Sequence, residues 1–161
     1  MKGFCFTAGD EYFTVDVTLV QKVLRNISYT PVPAVPEAIV GITNFKGGIV
    51  TLIDLINLLG QKRNDYATDA IIFKSSVNGN NQMGLTINKP GELIDIDVKK
   101  ILPPPVTTGD KQNFCVSGMI GVDGVMYRIV DINSIINKLK QQSEKIANTK
   151  KQGEIDNEEL T

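Results

Sequence analysis

The sequence predicts a mainly β protein built as two related halves, with antiparallel sheets that close or nearly close on themselves. Three observations predict it. Around ten short runs of β-branched and apolar residues are separated by turn signals. Only three short stretches carry helical spacing. One supersecondary device also occurs twice.

The device is clearest from Gly41 to Gly60. Ile42 to Phe45 is a short apolar run, and Lys46-Gly47-Gly48 supplies a tight turn, since glycine accepts positive φ. Ile49 to Ile53 is nearly all apolar and reads as a buried strand. Asp54 then caps a helical turn, Leu55 to Leu59, and Gly60 ends it. The second copy runs from Gly118 through Gly124 and Asp131 to Ile136. Gly41 and Gly118, Gly47 and Gly124, and Asp54 and Asp131 are each 77 residues apart.

The remaining elements follow in order. Phe4 to Ala8 and Tyr12 to Val15 form a hairpin about Gly9-Asp10-Glu11. Asp16 or Thr18 caps a short helix in which Leu19, Val20, Val23 and Leu24 share a face. Ile27 to Val32 is extended, and Pro31, Pro33 and Pro36 confine it to an edge. Gln61 to Thr68 links the halves. Ala70 to Lys74 and Met83 to Ile87 are strands about an Asn78-Gly79-Asn80-Asn81 turn. Pro90-Gly91 turns the chain into Leu93, Ile94 and Ile96. Pro103-Pro104-Pro105 is a stiff surface segment. Ile132 to Lys140 begins a helix, and from 141 to 161 the polar composition predicts a frayed helix and then a disordered tail.

The totals narrow the function. The 161 residues are 42% hydrophobic, enough for one domain or two small ones sharing a core. Net charge is −1 with an isoelectric point near 5.5, and 6% of residues are aromatic, none of them tryptophan. A nucleic-acid-binding barrel wants a cationic groove and stacking aromatics, so that reading is the weaker alternative. No run approaches the ~20 apolar residues that span a bilayer. Met1-Lys2-Gly3 leads straight into alternating Phe4-Cys5-Phe6, which is no signal peptide, and a cytoplasmic protein is expected. There is no histidine, which removes the commonest general base and metal ligand. Cys5 and Cys115 lie in apolar runs and read as buried structural thiols. No cofactor, metal site or enzyme activity is expected. Asp54 and Asp131 suggest a carboxylate pair, but as equivalent points of a repeat they are better read as caps. Gly118, Gly121 and Gly124 fall inside a hairpin, where turn geometry explains them better than phosphate binding.

Four ordered motifs carry a resemblance. Tyr12-Phe-Thr-Val-Asp16, Val20-Gln-Lys-Val23, Gly41-Ile-Thr-Asn-Phe-Lys-Gly47 and Ile49-Val-Thr-Leu-Ile-Asp54-Leu55 resemble the CheW family, the coupling proteins of bacterial chemotaxis. The similarity runs from about Phe4 to Ile136. It implies two intertwined five-stranded SH3-like barrels sharing a hydrophobic core, with a few short helices and a C-terminal helix. The domain is then 1–140, with halves at roughly 15–65 and 70–136 and strand exchange at the N-terminus. The implied function is a non-enzymatic adaptor between the cytoplasmic hairpin tip of chemoreceptors and the regulatory domain of the histidine kinase CheA. That kinase carries a related regulatory domain, so the chain also looks like such a domain cut loose. The lack of a kinase catalytic segment favours the free coupling protein.

The resemblance also implies sites. Receptor contacts fall on Val20, Val23, Gly41, Asn44, Phe45 and Lys46. For Val20 and Val23, core packing is the alternative reading. Kinase contacts fall on Ile71, Leu93, Leu102, Pro103 and Pro105. Asp16, Asp54 and Asp131 are structural caps. Lys22 and Lys46 stand where relatives have an acid and an arginine, so the family's ion pair is lost here. No nucleic acid and no membrane insertion are expected. Exposed strand edges permit a weak or strand-exchanged dimer.

Overall fold

Alternating burial builds the first hairpin. Lys2–Ala8 (β1) and Glu11–Asp16 (β2) pair antiparallel, with Phe6 opposite Phe13 and their rings stacked 5.7 Å apart. The computed structural model describes residues 1–75, 81–104 and 114–159, with side chains to 149. The turn expected at Asn78-Gly79-Asn80 and the predicted contact Pro105 lie outside these residues.

Val20–Leu24 (β3), Ile39–Phe45 (β4), Gly48–Asp54 (β5), Leu55–Leu58 (α1), Asp69–Phe73 (β6) and Gln82–Ile87 (β7) come next. Lys89–Asp95 (β8), Val116–Val122 (β9), Val125–Val130 (β10) and Ile132–Glu159 (α2) complete the order. The strands form two five-stranded sheets, β3-β6-β7-β5-β4 and β8-β1-β2-β10-β9. The two orders are equivalent. The triplets β3-β4-β5 and β8-β9-β10 correspond, as do the hairpins β6-β7 and β1-β2. In each sheet one central contact is parallel, β5 with β7 and β10 with β2, and the others are antiparallel.

Each sheet is closed by the chain that leaves its edge strand. Beyond β3, Thr30 exchanges backbone hydrogen bonds of 2.8 and 2.9 Å with Ile42 of β4. Beyond β8, Leu102 does the same with Met119 of β9 at 2.8 and 3.0 Å. Gly41 and Gly118 sit under these closures. A Cβ on Gly41 would lie 2.5 Å from the Thr30 carbonyl oxygen, and one on Gly118 would lie 2.8 Å from that of Leu102. The repeat spacing of 77 residues therefore preserves a close backbone approach as well as the turn. The β4–β5 and β9–β10 turns are matched too, with Lys46 and Gly47 at φ 51° and 76° and Asp123 and Gly124 at 50° and 80°. Positive φ at both central residues suits a two-residue hairpin turn.

Apolar residues fill three places. Val40, Val50, Leu52, Ala70 and Ile72 fill barrel one. Ile96, Ile120 and Ile129 fill barrel two. The largest cluster lies between the barrels, where Phe6, Phe13 and Val15 meet Ile53, Ile71, Phe73, Leu85 and Ile87 beneath Ile132 and Ile135 of α2. Alternation explains how one strand serves two of these sites. In β6, Ala70 and Ile72 join the interior of barrel one, and Ile71 and Phe73 join the layer between barrels.

Aspartates end the strands. Asp54 is buried, and its Oδ1 accepts from the N–H groups of Ile56 and Asn57 while Oδ2 accepts from Asn64 N–H at 2.6 Å. Burial raises its pKa above the usual carboxylate value, against the pull of these donors and of the Arg63 charge. Asp131 accepts from Ser134 N–H and its hydroxyl. Asn64 Nδ2 and Gly9 N–H both donate to Asn88 Oδ1, at 2.6 and 2.8 Å. A polar path thus runs from Asp54 in barrel one to the β1–β2 turn of barrel two.

Four features differ from the sequence expectations. Leu19 to Leu24 is not a helix. Asp16 accepts from Thr18 N–H to cap one 3₁₀ turn, Val17–Leu19, and the chain then extends as β3. Val20 and Val23 find ladder positions opposite Phe73 and Ile71, and this pairing overrides a short helical periodicity. Pro90 and Gly91 lie inside edge strand β8, where a missing N–H is tolerated, and the chain bends at Asn88 instead. The division between barrels falls after β7, because the β6–β7 hairpin pairs with β3 and β5 and not with later strands. Finally, α2 continues past Lys140 to Glu159, through residues that include good helix formers.

Three measurements check this account. Gly118→Ala should lower unfolding stability by roughly 1–3 kcal/mol in urea, because the added carbon presses on the closing strand. Asp54→Ala should cost about 2 kcal/mol, because it strips the acceptor from buried and half-buried N–H groups. Burial pushes the Cys115 thiol up to about 12. An alkylating reagent at pH 8 should therefore modify Cys115 only as fast as the chain unfolds, and rapid native-state labelling would contradict the packing.

Candidate functional site

The apolar alternation that fills barrel one leaves a second face outside it. In β5, Val50 and Leu52 point into the barrel, so Ile49, Thr51 and Ile53 point away from it. Ile39 of β4 and Met83 of β7 border the same face. The first turns of α2 lie against it through Ile136 and Leu139. The fit is incomplete. A groove of about 530 Å³ remains between barrel one and α2, with Asn81, Gln82, Lys140, Ser143 and Glu144 around it. Ile49 is 63% exposed at its edge. Gln82 also donates to Gln21 Oε1 at 2.6 Å, which ties strand β3 to the groove wall.

The predicted receptor residues divide by burial. Val20 and Val23 are half-buried on β3, and Val20 packs against the layer between barrels. Gly41 is buried beneath Thr30, with no room for a side chain. Asn44 and Lys46 are exposed at the β4–β5 turn. Phe45 is half-buried against the interior of barrel one, with Lys46 Nζ 5.4 Å from its ring centre. Among the described residues, neither Lys22 nor Lys46 is in an ion pair.

The predicted kinase residues divide as well. Leu93 on β8 and Leu102 at the barrel-two closure are 53% and 47% exposed, and Pro103 beside them is exposed. Ile71 is different. It is fully buried on central strand β6, facing the layer between barrels, and has no surface to offer a partner. Its place in a contact set is corrected to a core role.

Sequence reasoning missed the groove because Ile49 to Ile53 read as a buried strand. The signal was present in the nearly unbroken apolar run Ile49 to Ile53, which gives β5 two apolar faces where one barrel interior needs one.

Both cysteines are free and buried, and burial raises both thiols, so neither is poised as a thiolate. Among the described residues no three or more cysteine, aspartate or glutamate side chains gather as metal ligands. No described helix is long and apolar enough to cross a membrane.

Comparison with known proteins agrees with the fold. A family model described as a CheW-like domain matches residues 2–140. The chain is 23% identical over 130 residues to "Chemotaxis protein CheW" of Rhizobium meliloti, spanning 81% of this chain and 83% of that one. It is 30% identical over 109 residues to "Chemotaxis protein CheW" of Helicobacter pylori, across 67% and 65% of the two chains. Among solved structures, the scaffolding protein TtCheW from Thermoanaerobacter tengcongensis superposes with a TM-score of 0.69 at 30% identity. That match covers 80% of this chain and 87% of the other. The paired barrels, their strand order and the family match agree: the chain belongs to the CheW family, the scaffold and coupling proteins of bacterial chemotaxis.

Proposed function

We propose that the chain is a non-catalytic cytoplasmic adaptor that holds a chemoreceptor's cytoplasmic hairpin tip on one surface and the regulatory domain of a CheA-type histidine kinase on another. The groove between barrel one and α2 is the observation that carries this reading. Its lining joins Ile39, Ile49, Ile53, Met83, Ile136 and Leu139 to a few polar residues, which suits the apolar face of a helix. Its β3 side leads towards Val20 and Val23, and Asn44 and Lys46 stand free at the neighbouring hairpin turn. Leu93, Leu102 and Pro103 give barrel two a separate exposed apolar surface for the kinase. The shared core holds the two surfaces in fixed relation, as a coupling protein requires.

Binding assays with a receptor cytoplasmic fragment and the kinase regulatory domain test the proposal. The unaltered chain should bring both into one ternary complex. Ile49→Asp should weaken the receptor fragment's binding by roughly tenfold or more, keep the kinase domain bound and leave the thermal melt nearly unchanged, because Ile49 is mostly exposed. Val20→Asp is a poorer test, because Val20 also packs on the core. Failure to bind either partner would overturn the reading.

A further inference from the structure

Barrel two has an unfilled mouth where barrel one has a stopper. In barrel one the residue entering the β4–β5 turn is Phe45, whose ring packs against the interior. At the equivalent position, 77 residues on, barrel two carries Val122, which also packs against its barrel's interior but is smaller and fills less of the mouth. A cavity of about 390 Å³ opens there, between β8, the β1–β2 hairpin and the β9–β10 turn. Ile94, Val122 and Val125 are among its apolar walls. Tyr12 and Tyr127 add two rings packed edge to face, 5.9 Å apart at 80°.

The charges at this mouth do not cancel. Glu92 and Asp123 line it with one base, Lys89, and all three are exposed. Among the described residues neither acid is in an ion pair. Glu92 is on the cavity wall beside Cys5 and Tyr127. Aromatic faces and an uncompensated carboxylate attract a cation, and apolar walls want an aliphatic stem behind it. An added strand fits badly, because Pro90 lacks an N–H and Lys89, Glu92 and Asp95 punctuate the β8 edge.

We propose that this mouth receives an arginine side chain presented on a protruding turn of a partner protein. The stem lies against Ile94 and Val122, and the guanidinium stacks on the tyrosines and meets Glu92. Arginine suits the site better than lysine, since its flat, always-charged head stacks on rings and is more weakly hydrated. The inference concerns a different surface from the groove beside α2 and holds whether or not that groove takes a receptor.

The test titrates the full isotope-labelled chain with disulfide-closed turn peptides that differ only at the tip: arginine, norleucine or glutamate. The arginine peptide should shift the amide signals of Gly91, Val122, Asp123 and Tyr127. The norleucine peptide should bind about tenfold more weakly and the glutamate peptide not at all. Glu92→Gln should weaken the arginine peptide several-fold without moving the thermal melt. Val122→Phe should supply the missing stopper and abolish binding, and Val122→Leu provides a milder filling if the larger ring prevents folding. Equal binding of the arginine and glutamate peptides, or undiminished binding after either filling, would overturn the proposal.

Discussion

The apolar layer between the barrels is the constraint on which the architecture rests. Phe6 and Phe13 from barrel two, Phe73, Ile71, Leu85 and Ile87 from barrel one, and Ile135 from α2 are all essentially without solvent contact. Each such side chain contributes roughly 1.5–3 kcal/mol on burial. A barrel of about 65 residues is marginal alone. The layer therefore makes up what each interior lacks, and it forces β6 to be apolar on both faces. It also fixes the barrels relative to each other, so that surfaces on either side of the molecule are presented at one spacing and one angle.

Much of this was legible in the sequence because the repeat is local. The spacing of 77 residues maps β4 onto β9, the two turns onto each other, and Asp54 onto Asp131. Residues near one another in the chain dictated these features through turn chemistry and capping. Long-range pairing was less legible. Nothing between Val17 and Leu24 announces that β6 waits to pair with it, so a helical spacing was read where a strand forms. Nor does any local feature say that the β6–β7 hairpin sits between β3 and β5. Gly41 and Gly118 were visible as repeated residues, but their reason, the pressing carbonyls of Thr30 and Leu102, depends on closure of the barrels.

The candidate sites show the same division. Lys46 at a turn and Leu93 on an edge strand are exposed, as a contact role needs. Ile71 is not, because a contact role and a core role look alike in an apolar strand. The groove beside α2 was hidden for the converse reason. Its isoleucines look like core until the helix is seen to cover them only in part. Polarity marks the other junction more openly, since Asp54, Asn64 and Asn88 satisfy one another across the seam where apolar contacts end.

The order of strands has a consequence for how the chain is made. Barrel one is a continuous stretch of sequence, from β3 to β7, whereas barrel two joins the opening hairpin to the last three strands. In synthesis that hairpin emerges before the first barrel and finds its sheet partners only after it. Phe6 and Phe13 must wait through the synthesis of the whole first barrel, and the hairpin's outer edges stay open until β8 and β10 leave the exit tunnel. The β1–β2 hairpin therefore carries Phe6 and Phe13 uncovered for the length of a whole barrel, which gives a chaperone reason to hold it.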